Sequence, residues 1–182
     1  MILSRDPGIS SLRCSASAGS VSLSRFPHRM RAGTSRRVDG ENATSWPSNI
    51  SSTPVEVAER NSPLFFRWKR LRPDSGGGGR FRGGLGQDIL IENESDTPIV
   101  ASFMAERTKF PAPGFAGGGA GGLGDVRING RRIDNRRQHV LRKGDTVLVR
   151  TPGGGGYGRP ARRDPARVAR DGHMGYAGRP GA

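Results

Sequence analysis

The sequence predicts a mainly β fold: a small glycine-rich sheet or sandwich-like unit with two short helices, preceded by a disordered N-terminal segment. Apolar and polar residues alternate in LFFRWKRL at 64–71, which is typical of a half-buried strand. The pair Asn129-Gly130 lies between two short alternating runs and is a strong signal for a two-residue hairpin turn. Glycine clusters separate the predicted strands at 76–86, 114–124 and 153–158.

Capping and turn signals predict the remaining elements. TPVE at 53–56 has the pattern of a capping box with proline at the first helical position, so it predicts a helix to about Arg60. Asp164 as N-cap and Pro165 in the first turn predict a second helix that ends at Gly172. Further short strands are predicted within 87–92, 98–104 and 139–152.

The chain divides into three predicted regions. Residues 1–40 are expected to be a disordered or spurious N-terminal segment, because 1–30 is rich in Ser and Arg and has Asp6 as its only acid. That composition suits a transit peptide or a wrongly placed start. Residues 41–172 are the predicted folded domain, and 173–182 a flexible tail.

Composition limits the core, the partners and the compartment. Apolar residues make up only 32% of the chain, so a core is expected over part of its length. The net charge of +14 suits nucleic acid, but an arginine bias of this kind also arises from a GC-rich genome, so nucleic acid is not the expected partner. The single Cys14 fits a reducing compartment, and no stretch approaches the ~20 apolar residues of a membrane span. We therefore expect a cytoplasmic protein without membrane contact.

Generic motifs assign no catalytic residue and no cofactor or metal site. Two G-x-G-x-x-G matches, ending at Gly124 and Gly158, do not open a helix, and no P-loop is present. The three histidines and Cys14 lack ligand spacing, so no metal site is predicted. Ser75 lies outside a G-x-S-x-G motif, and one Arg-Gly-Gly triplet at 82–84 is weak evidence for single-strand binding.

Three segments, in their order and spacing along the chain, resemble the C-terminal part of the hydantoinase B/5-oxoprolinase family, which includes N-methylhydantoinase B. They are NISSTPVEVAER, RLRPDSGGGGRFRGGLG and RKGDTVLVRTPGGGGYGRP. In that family a P-V-E helix precedes a strand that ends in L-R-P-D-S-G-G-x-G-x-x-R-G-G-x-G, and a closing strand ends in T-P-G-G-G-G-Y-G. Each of these letters is present here, and the resemblance runs from about Arg31 or Asp39 to Gly172.

The resemblance implies a role in the ATP-dependent hydrolytic opening of a cyclic amide such as a hydantoin, N-methylhydantoin or 5-oxoproline. In that family an A-type subunit uses ATP to phosphorylate the ring carbonyl oxygen, and the B-type subunit hydrolyses the activated intermediate. ATP and a divalent metal are implied for the complete enzyme, and neither is expected to be bound by this chain.

Family B subunits are several times longer than this chain, which therefore resembles a fragment and is expected to be inactive alone. The implied partners are a hydantoinase A-type subunit and the missing N-terminal part of the B subunit. Two alternatives remain open: an assembly module of an acetone-carboxylase-like complex, and a basic nucleic-acid-binding protein.

The first glycine cluster carries the candidate anion- or substrate-facing loop. Its glycines are expected to let the backbone turn sharply or approach another surface closely. The arginines would then face a phosphorylated intermediate or carboxylates of the missing domain, or would serve the turn structurally. The candidate residues are Arg72, Asp74, Ser75, Arg80 and Arg82.

Overall fold

The computed structural model describes residues 2–6, 9–14, 37–43, 54–103 and 105–177, which form two β-sheets with short helices. The four-stranded sheet has the order β1 (Ile2–Asp6), β2 (Ile9–Cys14), β5 (Ile99–Phe103), β8 (Gln138–Leu141). The five-stranded sheet has the order β3 (Leu64–Leu71), β4 (Gln87–Asn93), β9 (Thr146–Arg150), β6 (Asp125–Ile128), β7 (Arg131–Arg132). Neighbouring strands are antiparallel except β2 and β5, which are parallel.

Apolar side chains from both sheets meet between them in two buried clusters. Phe103 and Leu141 of the four-stranded sheet are buried in one cluster with Val126 and Val149 of the five-stranded sheet. A second cluster joins residues of β3, β4 and β5, and its members are Leu64, Ile91 and Ile99. The mainly β, sandwich-like prediction is confirmed, because alternating strand residues put one face of each sheet into these clusters.

The predicted hairpin and turns are present in the five-stranded sheet. Asn129 and Gly130 both have positive φ, 50° and 77°, as the tight turn between β6 and β7 requires. Gly144, with φ of 82°, serves the turn between β8 and β9. β3 and β4 pair along their whole length, with a register shift between Phe66 and Trp68.

Two α-helices and one 3₁₀ turn flank the sheets. Helix α1 spans Val55–Asn61 and has Pro54 at its N-cap without a side-chain capping bond, whereas Thr53 of the predicted capping box lies outside the described residues. Helix α2 spans Pro165–His173, one residue longer than predicted, and the carboxylate of Asp164 accepts a hydrogen bond from Ala166 N as predicted. The 3₁₀ turn spans Pro160–Arg162. Neither helix has the length or apolar character needed to cross a bilayer.

Within the N-terminal segment the structure places two strands that the sequence pattern does not indicate. β2 pairs with β5, and β1 pairs with β2. Strand addition of this kind uses the backbone groups of a sheet edge, so it needs no alternating side-chain pattern. Residues 15–36 and 178–182 lie outside the described residues, and the predictions of a disordered segment and a flexible tail stay predictions there.

Candidate functional site

Three glycine-rich segments come together where β4 begins and β9 ends. We call them the glycine core, and they comprise residues 75–86, 112–122 and 151–158. Gly77 N donates to Gly154 O at 2.8 Å, and Gly119 N donates to Gly78 O at 2.7 Å. Gly156 N donates in turn to Gly119 O at 2.9 Å. Each segment is thus hydrogen-bonded to the other two, and the unit is held by backbone groups rather than side chains.

Glycine is required in this core because carbonyl oxygens occupy the space of a side chain. A Cβ at Gly153 would lie 1.8 Å from Ser75 O, and one at Gly83 would lie 2.0 Å from Gly154 O. Within 76–86 no glycine has a positive φ, so the sharp-turn explanation does not apply to that cluster. The close-approach explanation does apply, and the approached surface is the chain's own backbone.

Ser75 and Arg72 brace the entrance to the first glycine segment. Ser75 is only 2% exposed, and its Oγ donates to Arg72 O at 2.6 Å while accepting from Gly86 N at 2.9 Å. Arg72 Nη1 donates to Leu123 O at 2.6 Å. Asp74 is exposed with φ of 57°, and its backbone N donates to Tyr176 O at 3.0 Å. Ser75 and Arg72 are therefore committed to the chain's own backbone, whereas the Asp74 side chain lies at the surface.

Five charged side chains form an ion network on one flank of the glycine core. Its members are Asp39, Arg82, Arg163, Arg167 and Asp171. Arg163 lies between the two carboxylates, with Nη1 2.7 Å from Asp39 Oδ1 and Nη2 2.6 Å from Asp171 Oδ2. Arg82 Nε lies 3.5 Å from Asp171 Oδ1, and Arg167 Nη1 lies 3.2 Å from Asp39 Oδ2. The network joins residue 39 to the first glycine segment and to helix α2.

Arg82 contacts groups of its own chain through its backbone N and through Nη1, whereas its buried Nε has an ion-pair contact but no hydrogen bond. Its backbone N donates to Asp39 Oδ1 at 2.6 Å, and its Nη1 donates to Gly83 O at 2.6 Å. Its guanidinium carbon lies 5.1 Å from the centroid of the Tyr176 ring. The sequence left two kinds of anion open for Arg82, a phosphorylated intermediate and the carboxylates of another domain. In the structure Arg82 lies beside carboxylates, and these belong to Asp39 and Asp171 of the same chain.

The pKa of the Asp39 carboxyl is lowered by its arginine partners. Burial by itself raises this pKa, but the hydrogen bonds from Arg163 and from Arg82 N, with the charges of Arg163 and Arg167, outweigh burial and leave it below the ordinary 3.8. A carboxyl whose pKa is lower in the folded state stabilises the fold above its unfolded pKa. That contribution is lost as pH falls through the folded pKa.

The replacement Asp39→Asn is therefore expected to destabilise the protein most at neutral pH. The difference in free energy of unfolding from wild type should shrink as pH falls from neutral to below the ordinary carboxyl pKa of 3.8, because the wild-type carboxyl becomes protonated once the pH passes its lowered pKa. Urea unfolding at a series of pH values measures this difference. The exposed acid Glu41 provides a control, since Glu41→Gln should follow wild type. A difference independent of pH would contradict the ion pairing of Asp39.

Arg80 differs from the other predicted loop residues because it is exposed at the edge of a cleft of about 380 Å³. The cleft is lined by Arg80, Ala116, Tyr157, Gly158, Arg159 and Arg162. The Arg80 guanidinium carbon lies 5.4 Å from the centroid of the Phe81 ring. The structure thus separates the five candidates into braced residues and the surface residues Asp74 and Arg80.

A second, larger depression of about 1190 Å³ lies between residues 105–110 and the β6–β7 hairpin. Two of its carboxylates pair with arginines: Asp125 Oδ2 lies 2.7 Å from Arg127 Nε and Asp125 Oδ1 lies 3.3 Å from Arg132 Nε, while Asp134 Oδ2 lies 3.4 Å from Arg137 Nε. Across the residues that the structure describes, no three His, Cys, Asp or Glu side chains are grouped to hold a metal ion. The described residues thus do not fit the divalent metal implied for the complete enzyme.

Sequence reasoning missed Asp39, Arg163 and Asp171. Asp39 falls in the segment expected to be disordered, where an isolated acid among basic residues carries little signal. Asp171 was detectable in principle. It lies near the C-terminal end of α2, where the helix dipole disfavours an acid, so its presence there indicates a specific cationic partner.

Comparison with known sequences places this chain in one family. The model of the family described as hydantoinase B/oxoprolinase matches residues 24–160. An uncharacterized protein of Methanocaldococcus jannaschii is 38% identical over 117 residues, which are 62% of this chain and 20% of that protein. The caprolactamase subunit beta of Pseudomonas jessenii is 31% identical over 157 residues, which are 77% of this chain and 26% of the subunit.

Solved structures show the same fold. The crystal structure of ATP-dependent caprolactamase from Pseudomonas jessenii aligns with a TM-score of 0.62 and 29% identity, covering 83% of this chain and 28% of that one. An acetone carboxylase structure, at 20% identity and a TM-score of 0.59, shares the fold over 79% of this chain and 24% of its own. The chain spans between about a fifth and just over a quarter of the length of these relatives. This protein belongs to the hydantoinase B/oxoprolinase family.

Proposed function

We propose that this chain is the C-terminal module of a hydantoinase-B-type subunit that acts in the ATP-dependent hydrolytic opening of a cyclic amide. The observation that carries the proposal is the family match over 24–160, together with relatives named caprolactamase and 5-oxoprolinase. Both names describe enzymes for cyclic amides. Hydantoins, N-methylhydantoin, 5-oxoproline and lactams are therefore the substrate class to test.

The module's proposed task is to form a rigid support for the rest of the subunit rather than to carry out the chemistry alone. The glycine core holds its segments by short backbone hydrogen bonds, and the ion network ties it to α2 and to residue 39. In this proposal Arg72, Ser75 and Arg82 maintain the support. Asp74 and Arg80 are the loop residues at the surface, where they would face a substrate or another subunit.

The proposed partners are a hydantoinase A-type subunit and the N-terminal part of the B subunit. Large apolar side chains are exposed on the described part of the chain, including Phe110 at 81%, Val140 at 62% and Phe115 at 59%. Exposed apolar side chains of this size favour a surface that another part of an assembly covers. ATP and a divalent metal are proposed for the complete enzyme, held outside this chain.

A chimaera tests the proposal. The matching C-terminal part of the Pseudomonas jessenii caprolactamase subunit beta is replaced by residues 37–177, and ATP-dependent ring opening is measured with the complete enzyme. We expect turnover from the chimaera and none from the isolated chain with ATP, magnesium and the same cyclic amides. The chimaera carrying Gly153→Ala should be inactive, and the one carrying Gly172→Ala active.

Two results would contradict the proposal. Ring opening by the isolated chain would show that the module carries its own catalytic site. A chimaera that assembles correctly yet opens none of the cyclic amides would favour the alternative of an assembly module in an acetone-carboxylase-like complex.

A further inference from the structure

We propose that the cleft beside Tyr157 binds a small phosphate-bearing anion. The cleft has a volume of about 380 Å³ and is lined by three arginines, Arg80, Arg159 and Arg162. Arg80 alone of the three belongs to the loop predicted from the sequence. The inference rests on the composition of the cleft and does not require that the chain takes part in ring opening.

The three arginines lack an acidic partner within the described residues, unlike those of the neighbouring ion network. Arg163 and Arg167 each lie within ion-pair distance of Asp39, whereas the ion pairs found among the described residues include none to the three arginines of the cleft. The nearest acid in sequence, Asp164, accepts a hydrogen bond from Ala166 N at the start of α2. In the part of the chain that the structure describes, three positive charges therefore line one small cleft without an ion-paired carboxylate.

Backbone hydrogen bonds fix the positions from which these side chains extend. Arg80 N donates to Gly158 O at 3.1 Å, and Gly158 N donates to Phe115 O at 2.9 Å. Arg162 N donates to Arg159 O at 3.0 Å within the 3₁₀ turn. The glycine core thus fixes the backbone around the cleft, so the three arginine side chains start from set positions.

The chemistry of the lining favours phosphate over other ligands. A guanidinium group binds phosphate through two parallel N–H donors, and arginine is the preferred residue for such bidentate contacts. Tyr157 adds an aromatic wall, its ring centroid 5.9 Å from that of Phe115. The volume lies within the range of about 300–1,000 Å³ that is usual for small-molecule sites. A small phosphate compound therefore fits better than an extended polymer.

Titration calorimetry of the full chain with inorganic phosphate and with pyrophosphate tests the inference. We expect saturable binding of one anion per chain, weakened at least about tenfold in the double variant Arg80→Ala/Arg159→Ala. Arg80→Lys/Arg159→Lys keeps the charge but loses the bidentate geometry, and should fall between these two. The control Arg131→Ala/Arg142→Ala removes the same charge from exposed positions outside the cleft and should bind like wild type.

Circular dichroism checks that each variant is folded, which is expected because the replaced side chains are exposed. Absence of saturable phosphate binding in the millimolar range would overturn the inference. Equal weakening in the cleft variant and the control would also overturn it, because binding would then reflect the net charge of +14 alone. The chimaera experiment is unaffected by either outcome, so the two proposals fail separately.

Discussion

Gly153→Ala is expected to prevent folding of the isolated domain. A methyl group at this position would lie 1.8 Å from Ser75 O and 2.4 Å from Ser75 C, and both atoms belong to the backbone. The clash cannot be relieved by a side-chain rotation, so the first and third glycine segments would have to separate. Their separation breaks the hydrogen bond from Gly77 N to Gly154 O and exposes the buried backbone of both segments to water. The expected cost exceeds about 4 kcal/mol, a large part of the stability of a small domain.

A matched glycine replacement serves as the control. Gly172 lies in helix α2 without a positive φ, and a methyl group added there would meet no atom within 4 Å, so alanine fits without strain. Gly172→Ala is expected to raise the free energy of unfolding by about 0.5–1 kcal/mol, because glycine is a poor helix former. Urea unfolding followed by circular dichroism compares the two variants. A folded Gly153→Ala protein with wild-type stability would contradict the close packing of the glycine core.

Asp171→Ala is expected to cost about 3–5 kcal/mol, because in a mostly buried place it removes one of the two carboxylates of Arg163 and the carboxylate that pairs with the Arg82 side chain. The residue is 8% exposed, and its carboxylate lies 2.6 Å from Arg163 Nη2 and 3.5 Å from Arg82 Nε. Helix α2 should separate from the glycine core as a result. Chemical denaturation measures the loss, and amide exchange within α2 reports the local opening.

An exposed ion pair provides the comparison for Asp171. Asp96 lies at the surface opposite Lys143, where solvent screens the interaction, so Asp96→Ala should leave stability almost unchanged. Equal losses of stability in the two variants would show that burial does not strengthen the ion network.

The Arg82→Ala variant of a full-length relative distinguishes a structural role of Arg82 from contact with a substrate. If the variant fails to fold, Arg82 supports the fold through the ion network. If it folds but loses turnover, Arg82 contacts a substrate.

The strands after helix α1 were predictable because their signals are local, whereas β1 and β2 were not. The alternation of 64–71 and the Asn129-Gly130 turn depend on neighbouring residues only, and both elements are present in the structure. Asp164 likewise capped the predicted second helix through a contact two residues away. Such signals do not depend on how distant segments meet.

The candidate site was less predictable because its contacts join distant parts of the chain. Glycine at positions 77, 119 and 156 carries no side-chain pattern, so the sequence could not show that three segments bond to one another. The pairing of Asp39 with Arg163 spans 124 residues. The cleft shared by Arg159 and Arg162 became visible only when the fold placed them beside Arg80.

Amide hydrogen exchange of the glycine segments tests the central claim most directly. If the three segments form a hydrogen-bonded interior, the amides of Gly77, Gly119, Gly154 and Gly156 should exchange as slowly as those of the central strands β4 and β9. Their slow exchange would persist until the whole domain unfolds. Rapid exchange of these amides, at the rate of exposed loops, while β4 and β9 stay protected would contradict the glycine core.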